Sequence, residues 1–342
     1  MISRLRVQNF RSHRDFSAEF ADGVTVITGP NGSGKTSLIE AIYLALAGKS
    51  WRSNFAEILR TANNRTADWW RVDVAFADGE KRVVKFADGA KSFAVGGKTF
   101  ARLPARAKKP VVLFEPNDLQ LLYGSPARRR DFFDRFIAEI SPEHQTNLHK
   151  FERVLRQRNN LLKSGFATAE NLFVWDVQFA DLSAKISQAR RKVLAKINEN
   201  LSDKYRDIAG GATGDEIKIK FLPGAAKTSG EILAELKRAN KNFLTPVGAQ
   251  KDDFKFLLNN KSAKTAASRG ENRTILFGVL ARQIEILRES FGEVYVILDD
   301  IDSELDDAHK RNLYKLSALA DNNLFATTLK FRGKCANRIE LT

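Results

Sequence analysis

Cysteine is almost absent: Cys335 is the only one in 342 residues. A single thiol excludes an intrachain disulfide and any zinc site built from cysteines, and it fits a reducing cytoplasm. No apolar run reaches the roughly 18 residues that a membrane helix needs. The opening MISRLRVQNFRSH lacks the apolar segment of a signal peptide, so a soluble, cytoplasmic protein with no membrane partner is expected. Internal repeats and low-complexity tracts are missing too. Acid is scarce: 41 Asp and Glu face 56 Lys and Arg, a net charge of +15. That surplus points toward a polyanionic partner such as nucleic acid or an anionic membrane, although a lysine-rich surface with no such partner has the same composition.

A 43% hydrophobic content is enough for a packed core. Residues 24–28 (VTVIT) form a short β-branched run and predict a buried strand. The helical stretch SLIEAIYLALAGK stops at Gly48, a suitable C-cap. Residues 69–100 alternate apolar and polar positions, with Asp-Gly at 78–79 and 88–89 and Gly-Gly at 96–97. They predict an antiparallel β-meander. A strand at 111–114 follows. Breakers are then few, and helices are expected over 126–139, 142–163 and 169–208, the last about 40 residues and longer than ordinary globular helices. Further on, the pattern predicts a strand at 215–222, a strand and turn over 253–261 (DFKFLLNNK), and helices near 229–240 and 271–289. It ends with a strand at 294–298, a helix at 304–321 and a strand at 324–328. Strands and helices alternate at both ends, with a helical insertion between them. The reading is one α/β core split by an arm.

Between the strand and helix at 24–48 lies Gly29-Pro30-Asn31-Gly32-Ser33-Gly34-Lys35-Thr36, followed by Ser37. This is the G-x-x-x-x-G-K-[ST] pattern. Its glycines let consecutive N–H groups turn inward toward phosphate oxygens, and the helix N-terminus adds partial positive charge. ATP is the expected ligand. Lys35 would reach the β- and γ-phosphates, and the Thr36 hydroxyl would hold Mg²⁺. Such a loop needs a carboxylate at the end of a neighbouring strand. VYVILDD offers Asp299 for the metal, and Asp300 is placed to orient or polarise the attacking water. The same acids would also suit a helix N-terminus. The distance from Lys35 to Asp299, 264 residues, is the layout of ABC-type ATPases of DNA repair and chromosome organisation.

The chain resembles the RecF family of recombination mediators, relatives of the SMC-type ABC ATPases, along essentially its whole length. The segments that carry the resemblance are LRVQNFRSH with the P-loop, VVLFEPNDLQLLYGSPARRRDFFD (111–134), LLKSGF, VWD and the following long helix, AASRGENRT (266–274) and LDDIDSELDDAHKRNL. It implies an ABC-type P-loop ATPase head over 1–125 and 246–342, with the β-meander as a subdomain, and an inserted helical arm, or lid, over 126–245. It also implies that Arg11 lies where related ATPases contact nucleotide. Ser268 and Gly270 take the signature positions that meet the γ-phosphate in a second subunit. Residues Ser303 to Asp306 take the D-loop, and Glu115 to Asp118 the Q-loop. The implied activity is weak, DNA-stimulated ATP hydrolysis. ATP would drive homodimerisation and binding to single- and double-stranded DNA at gap junctions. The implied partners are RecR and RecO-like proteins, in repair and replication restart near the nucleoid. The alternative is an ATPase subunit of another DNA-maintenance or defence complex.

Two departures from the family pattern stand out, beside one feature common in RecF-like sequences. Glu271 places negative charge in the signature loop, GAQKDD (248–253) replaces a family-like GPH[RK]DD, and ATT takes the place of a switch histidine. Four basic stretches, 102–110, 127–135, 149–158 and 188–196, are candidates for phosphate contacts. For the second, internal pairing of Arg128–Arg130 with Asp131 or Asp134 is the structural alternative.

Overall fold

A computed structural model describes residues 1–62, 65–210, 214–238, 244–300, 323–329 and 335–342. The chain divides into two units, Met1–Pro116 with Leu287–Thr342, and Asn117–Ile286.

The first unit opens with β1 (Ile2–Phe10) and β2 (His13–Glu19), a tight hairpin that pairs Phe10 with His13. Next come β3 (Thr25–Thr28) and α1 (Lys35–Ala47). A small ribbon, β4 (Thr61–Ala62) with β5 (Arg65–Thr66), precedes the meander. The meander comprises β6 (Trp69–Phe76), β7 (Lys81–Ala87), β8 (Ala90–Val95) and β9 (Lys98–Phe100). Its turns follow the expected chemistry. Asp88–Gly89 and Gly96–Gly97 have positive φ at both central residues, the type I′ geometry that matches strand twist. At Asp78–Gly79 only the glycine is left-handed, as in a type I turn with a G1 bulge. The N-terminal hairpin joins the meander in one six-stranded antiparallel sheet, ordered β2-β1-β6-β7-β8-β9. β10 (Val111–Phe114) then leads out of the unit.

The second unit contains α2 (Pro126–Ile140), α3 (Pro142–Lys163), α4 (Ala169–Glu199), α5 (Leu201–Ala209), β11 (Ile217–Leu222), α6 (Ser229–Arg238), β12 (Asp253–Leu258), β13 (Lys261–Ser262), a single turn α7 (Ala263–Ala266), and most of α8 (Arg269–Phe291). Proline at N1 opens both α2 and α3, where its missing N–H has no helical partner to lose.

One expectation is corrected here. The helix expected over 169–208 breaks at Asn200, which leaves helical geometry with φ −129° and ψ 21°. The break lets two side chains close the free edge of β11. Asn198 bonds both the N–H and the C=O of Ile219, at 2.9 and 2.8 Å, and Ser202 does the same for Ile217, at 2.9 and 3.2 Å. An open strand edge is thereby capped. The two units of the structure divide at 116/117 and 286/287, whereas the expected division of head and arm lies at 125/126 and 245/246. The cause is the antiparallel pairing of β11 with β12 along its length, together with packing of Phe133 on α2 against Phe254, ring centroids 4.2 Å apart. These non-local contacts bind residues 246–286 to the helical unit.

The first unit is completed by β14 (Tyr295–Leu298), β15 (Leu324–Thr328) and β16 (Asn337–Glu340). All strands of its second sheet are parallel, in the order β10-β14-β15-β3-β16. α1 contacts both sheets, and all of its residues except Thr36 are buried. A helix enclosed on every side has no solvent face to show, which is why it is apolar apart from Lys35, Thr36 and Ser37 of its first turn and the paired Glu40. The helix expected at 304–321 and the D-loop residues Ser303 to Asp306 lie outside the described residues.

Candidate nucleotide site

The loop from Gly29 to Gly34 joins the C-terminal end of β3 to the N-terminus of α1. Its three glycines have φ of 154°, 85° and 97°, in or near the left-handed range that side chains avoid. Gly34 matters most. A Cβ there would lie 2.4 Å from both His13 Nε2 and Ser12 Oγ. The β1–β2 hairpin thus presses directly on the last turn of the loop, and the His13 ring is 3.1 Å from the Gly34 carbonyl. Burial holds the His13 pKa below its ordinary value. Neither Ser12 nor His13 was among the expected site residues. Their sequence signal is their place beside Arg11 in the LRVQNFRSH segment.

Lys35 is buried, and its ammonium donates to the Gly29 carbonyl at 2.7 Å and the Pro30 carbonyl at 3.0 Å. Asn31 lies exposed at the loop tip, Ser37 is buried on α1, and Ser33 Oγ is buried with no hydrogen-bond partner. Across 263 residues of sequence, the Thr36 hydroxyl donates to Asp299 Oδ1 at 2.9 Å. Thr327 on β15 donates to the same oxygen at 2.8 Å and accepts the Asp300 N–H at 2.7 Å. Thr327 belongs to the ATT segment. It is a missed member of the site, since only the parallel pairing of β14 with β15 brings it beside Asp299. Asp300 itself is left-handed, φ 45°, a conformation aspartate tolerates better than most residues. Burial pushes the Asp299 pKa up, against the opposing hydrogen bonds of Thr327 and Thr36.

A hydroxyl and a carboxylate at this spacing are hard oxygen donors and suit Mg²⁺. Among the described residues, no three His, Cys, Asp or Glu side chains cluster to cage a metal. A magnesium ion at Thr36 and Asp299 would therefore complete its shell with phosphate oxygens and water.

Arg11 is held differently. Its guanidinium donates to both oxygens of Glu40 (3.0 and 2.8 Å), to the Glu57 carbonyl (2.9 Å) and to Ser53 (2.5 Å). Glu40 is fully buried on α1 and also accepts from Ser50 and Arg52. Arg11 therefore neutralises a buried carboxylate beside the P-loop, and this structure engages four of its five donors.

In the second unit, Ser268 and Glu271 form a reciprocal capping box at the start of α8. The Ser268 N–H donates to Glu271 Oε2 at 2.7 Å, and the Glu271 N–H donates to Ser268 Oγ at 3.2 Å. The unexpected acid of the signature loop is a helix cap, and Gly270 sits in the first turn.

The basic stretches divide. Residues 127–135 are internal bracing: Arg129 forks onto Asp253 at 2.6 and 3.0 Å, Arg130 donates to the Asp252 carbonyl, Arg128 to the Asn117 carbonyl, and Arg135 reaches Asp118 and Asp131. Asp252 and Asp253 of GAQKDD thus partner Arg130 and Arg129 of the RRR run. Asp134 pairs instead with Arg190, which also binds Asp252, and all three are buried. In 149–158, Arg158 is buried against Asp176, whereas Lys150, Arg153 and Arg156 are exposed. In 102–110, Lys109 pairs with Glu293, while Arg102, Arg106 and Lys108 are exposed.

A family profile described as an AAA domain matches residues 4–324. The DNA replication and repair protein RecF of Moorella thermoacetica is 34% identical over 340 residues, covering 96% of this chain and 90% of that protein. The chain belongs to the RecF family. The RecF protein of Clostridium perfringens strain SM101 is 30% identical over 320 residues, covering 91% and 88%. A solved structure of the recombination mediator protein RecF-ATP in the RecFOR pathway matches with a TM-score of 0.83 at 27% identity, covering 99% of this chain and 95% of that one. An Smc head bound to the C-winged helix domain of ScpA matches at a TM-score of 0.54 and 16% identity, a likeness of fold alone. This RecF-family chain thus carries the AAA/ABC-type ATPase fold. Among its described residues, no helix is long and apolar enough to cross a membrane.

Proposed function

We propose that the chain is an ATP-dependent, DNA-binding recombination mediator of RecF type. The observation that carries this reading is the 2.9 Å bond from Thr36 to Asp299, which joins the P-loop to the acidic strand end. ATP would lie on the loop, with its phosphates facing the backbone N–H groups and Lys35. Thr36 and Asp299 would hold Mg²⁺, which supplies charge neutralisation at the β- and γ-phosphates. Asp300 would orient the attacking water, its backbone anchored by Thr327. Ser268 and Gly270 of a second copy would meet the γ-phosphate, so that ATP closes a homodimer. Closing would favour DNA, single- or double-stranded, at gap junctions, and slow, DNA-stimulated hydrolysis would release it. A chain of this family would act in the cytoplasm near the nucleoid, with RecR and RecO-like partners in recombinase loading.

The test is analytical ultracentrifugation with Mg·ATP and gapped DNA. The wild type is expected to dimerise with ATP and co-sediment with DNA, and Lys35→Ala to stay monomeric. Unchanged wild-type sedimentation with ATP would remove the dimer switch. Asp300→Asn is expected to bind ATP and accumulate as dimer, and normal turnover in that variant would exclude Asp300 from positioning water.

A further inference from the structure

In the second unit, a groove of about 760 Å³ runs between the α2–α3 corner and the C-terminal half of α4. It shares no residue with the nucleotide site. Its floor is apolar: Ile137 and Ile140 from the last turn of α2 meet Val193 of α4. Along the α4 side stand Arg191, Lys192 and Lys196, the last two exposed. Arg191 rests over the Phe221 ring at 5.2 Å, and no ion pair with an acid is formed by Lys192 or Lys196 among the described residues. Lys185, farther along, is already paired with Asp181. The one acid lining the groove is Glu143.

The walls are rigid. His144, on the α3 side, is buried and bonded to Asp134 at 2.9 Å, and Asp134 is forked onto Arg190 of α4. One buried network therefore ties α2, α3 and α4 directly behind the groove. The lining stretch of α4, residues 185–196, is about 16 Å long at a rise of ~1.5 Å per residue. That matches one face of a helix of about three turns.

We propose that this groove docks an acidic amphipathic helix of a partner protein. Its apolar stripe would cover the isoleucines and Val193, and its carboxylates would face Lys192 and Lys196. The helix-in-groove mode needs both features together. A phosphate backbone would use the lysines, but it has no use for a recessed floor of isoleucine and valine.

The experiment uses the full chain and three fluorescein-labelled probes, read by anisotropy. The first is a 14-residue Glu/Leu peptide with leucines at helical spacing i, i+3, i+7. The second has the same composition with that spacing scrambled, and the third is a 20-base-pair duplex. The first peptide is expected to bind, and the scrambled one to bind at least tenfold more weakly. Lys192→Glu with Lys196→Glu, and separately Ile140→Asp, should each weaken the first peptide at least tenfold, in variants whose circular dichroism melting curves match the wild type. Equal binding of both peptides would reduce the site to bare charge and overturn the proposal. So would absence of peptide binding, or a loss confined to the duplex in the double charge reversal, which would make the groove a nucleic-acid contact.

Discussion

Replacing Asp299 with asparagine separates two properties that the wild-type carboxylate combines. Asp299 is 8% exposed, and burial pushes its pKa above the ordinary aspartate value. A group whose folded pKa is raised stabilises the fold only while protonated, and that contribution is lost as pH rises through the folded value. Wherever Asp299 is ionised, its buried charge therefore burdens the protein without nucleotide. The asparagine side chain would keep an acceptor for the Thr36 and Thr327 hydroxyls without the charge. The unliganded Asp299→Asn protein is expected to melt no lower than wild type. Its advantage should shrink as pH falls into the carboxylate range. With Mg·ATP the order reverses. Ligand at about 100 times its dissociation constant stabilises by ~2.7 kcal/mol. At roughly 2–4 °C per kcal/mol for a unit of 150–250 residues, that is about 5–10 °C for wild type. The variant, lacking the metal ligand, should show little of this shift. The assay is differential scanning fluorimetry across pH, with and without Mg·ATP. A full ATP shift in Asp299→Asn would refute the metal assignment. An unliganded midpoint several degrees below wild type would refute the burden of the buried charge.

Two further outcomes are expected. Gly32 and Gly34 are both left-handed, so alanine at either costs about 1–2 kcal/mol, but only at Gly34 does the new Cβ collide, with Ser12 and His13. Gly34→Ala should therefore lower the unfolding midpoint clearly more than Gly32→Ala, with partial recovery in Gly34→Ala/His13→Ala, and equal losses would exclude the hairpin as a constraint on the loop. Arg190→Ala leaves Asp134 and Asp252 buried without their shared cation, a loss of about 3–5 kcal/mol in urea denaturation. Burial alone would raise the Asp134 pKa, but hydrogen bonds from His144 and Arg190 outweigh it and hold the carboxyl below its ordinary value. That stability is present above the ordinary carboxylate pKa and lost as pH falls through the depressed one. The wild-type advantage over Arg190→Ala should accordingly fade in acid, and a difference constant with pH would contradict it.

The elements that were legible in the sequence are those whose cause is local. The glycine spacing of 29–34, the prolines at 126 and 142, and the Asp-Gly and Gly-Gly turns each specify backbone geometry within a few residues. The Asp299 site was legible for a different reason. A P-loop needs a carboxylate at a strand end, and VYVILDD is an apolar strand that ends in one. The break at Asn200 left no such mark, because its benefit lies in hydrogen bonds to Ile217 and Ile219 of another element. The same holds for residues 127–135, whose arginines suggest either a basic face or pairing with Asp131 or Asp134, until Asp252 and Asp253 arrive from more than 120 positions away.

By itself the sequence determined the nucleotide loop, the strand-end acids, the meander and the membership of the chain in its family, because these depend on residue types at fixed short spacings or on their order. Only the tertiary structure decided which charges are spent and which remain. Arg11, Arg129, Arg158 and Arg190 are all held by acids, the last two in buried positions, while Lys192 and Lys196 are not. An arginine's role depends on the carboxylate it meets, and that meeting is fixed by strand pairing and helix packing across long stretches of chain.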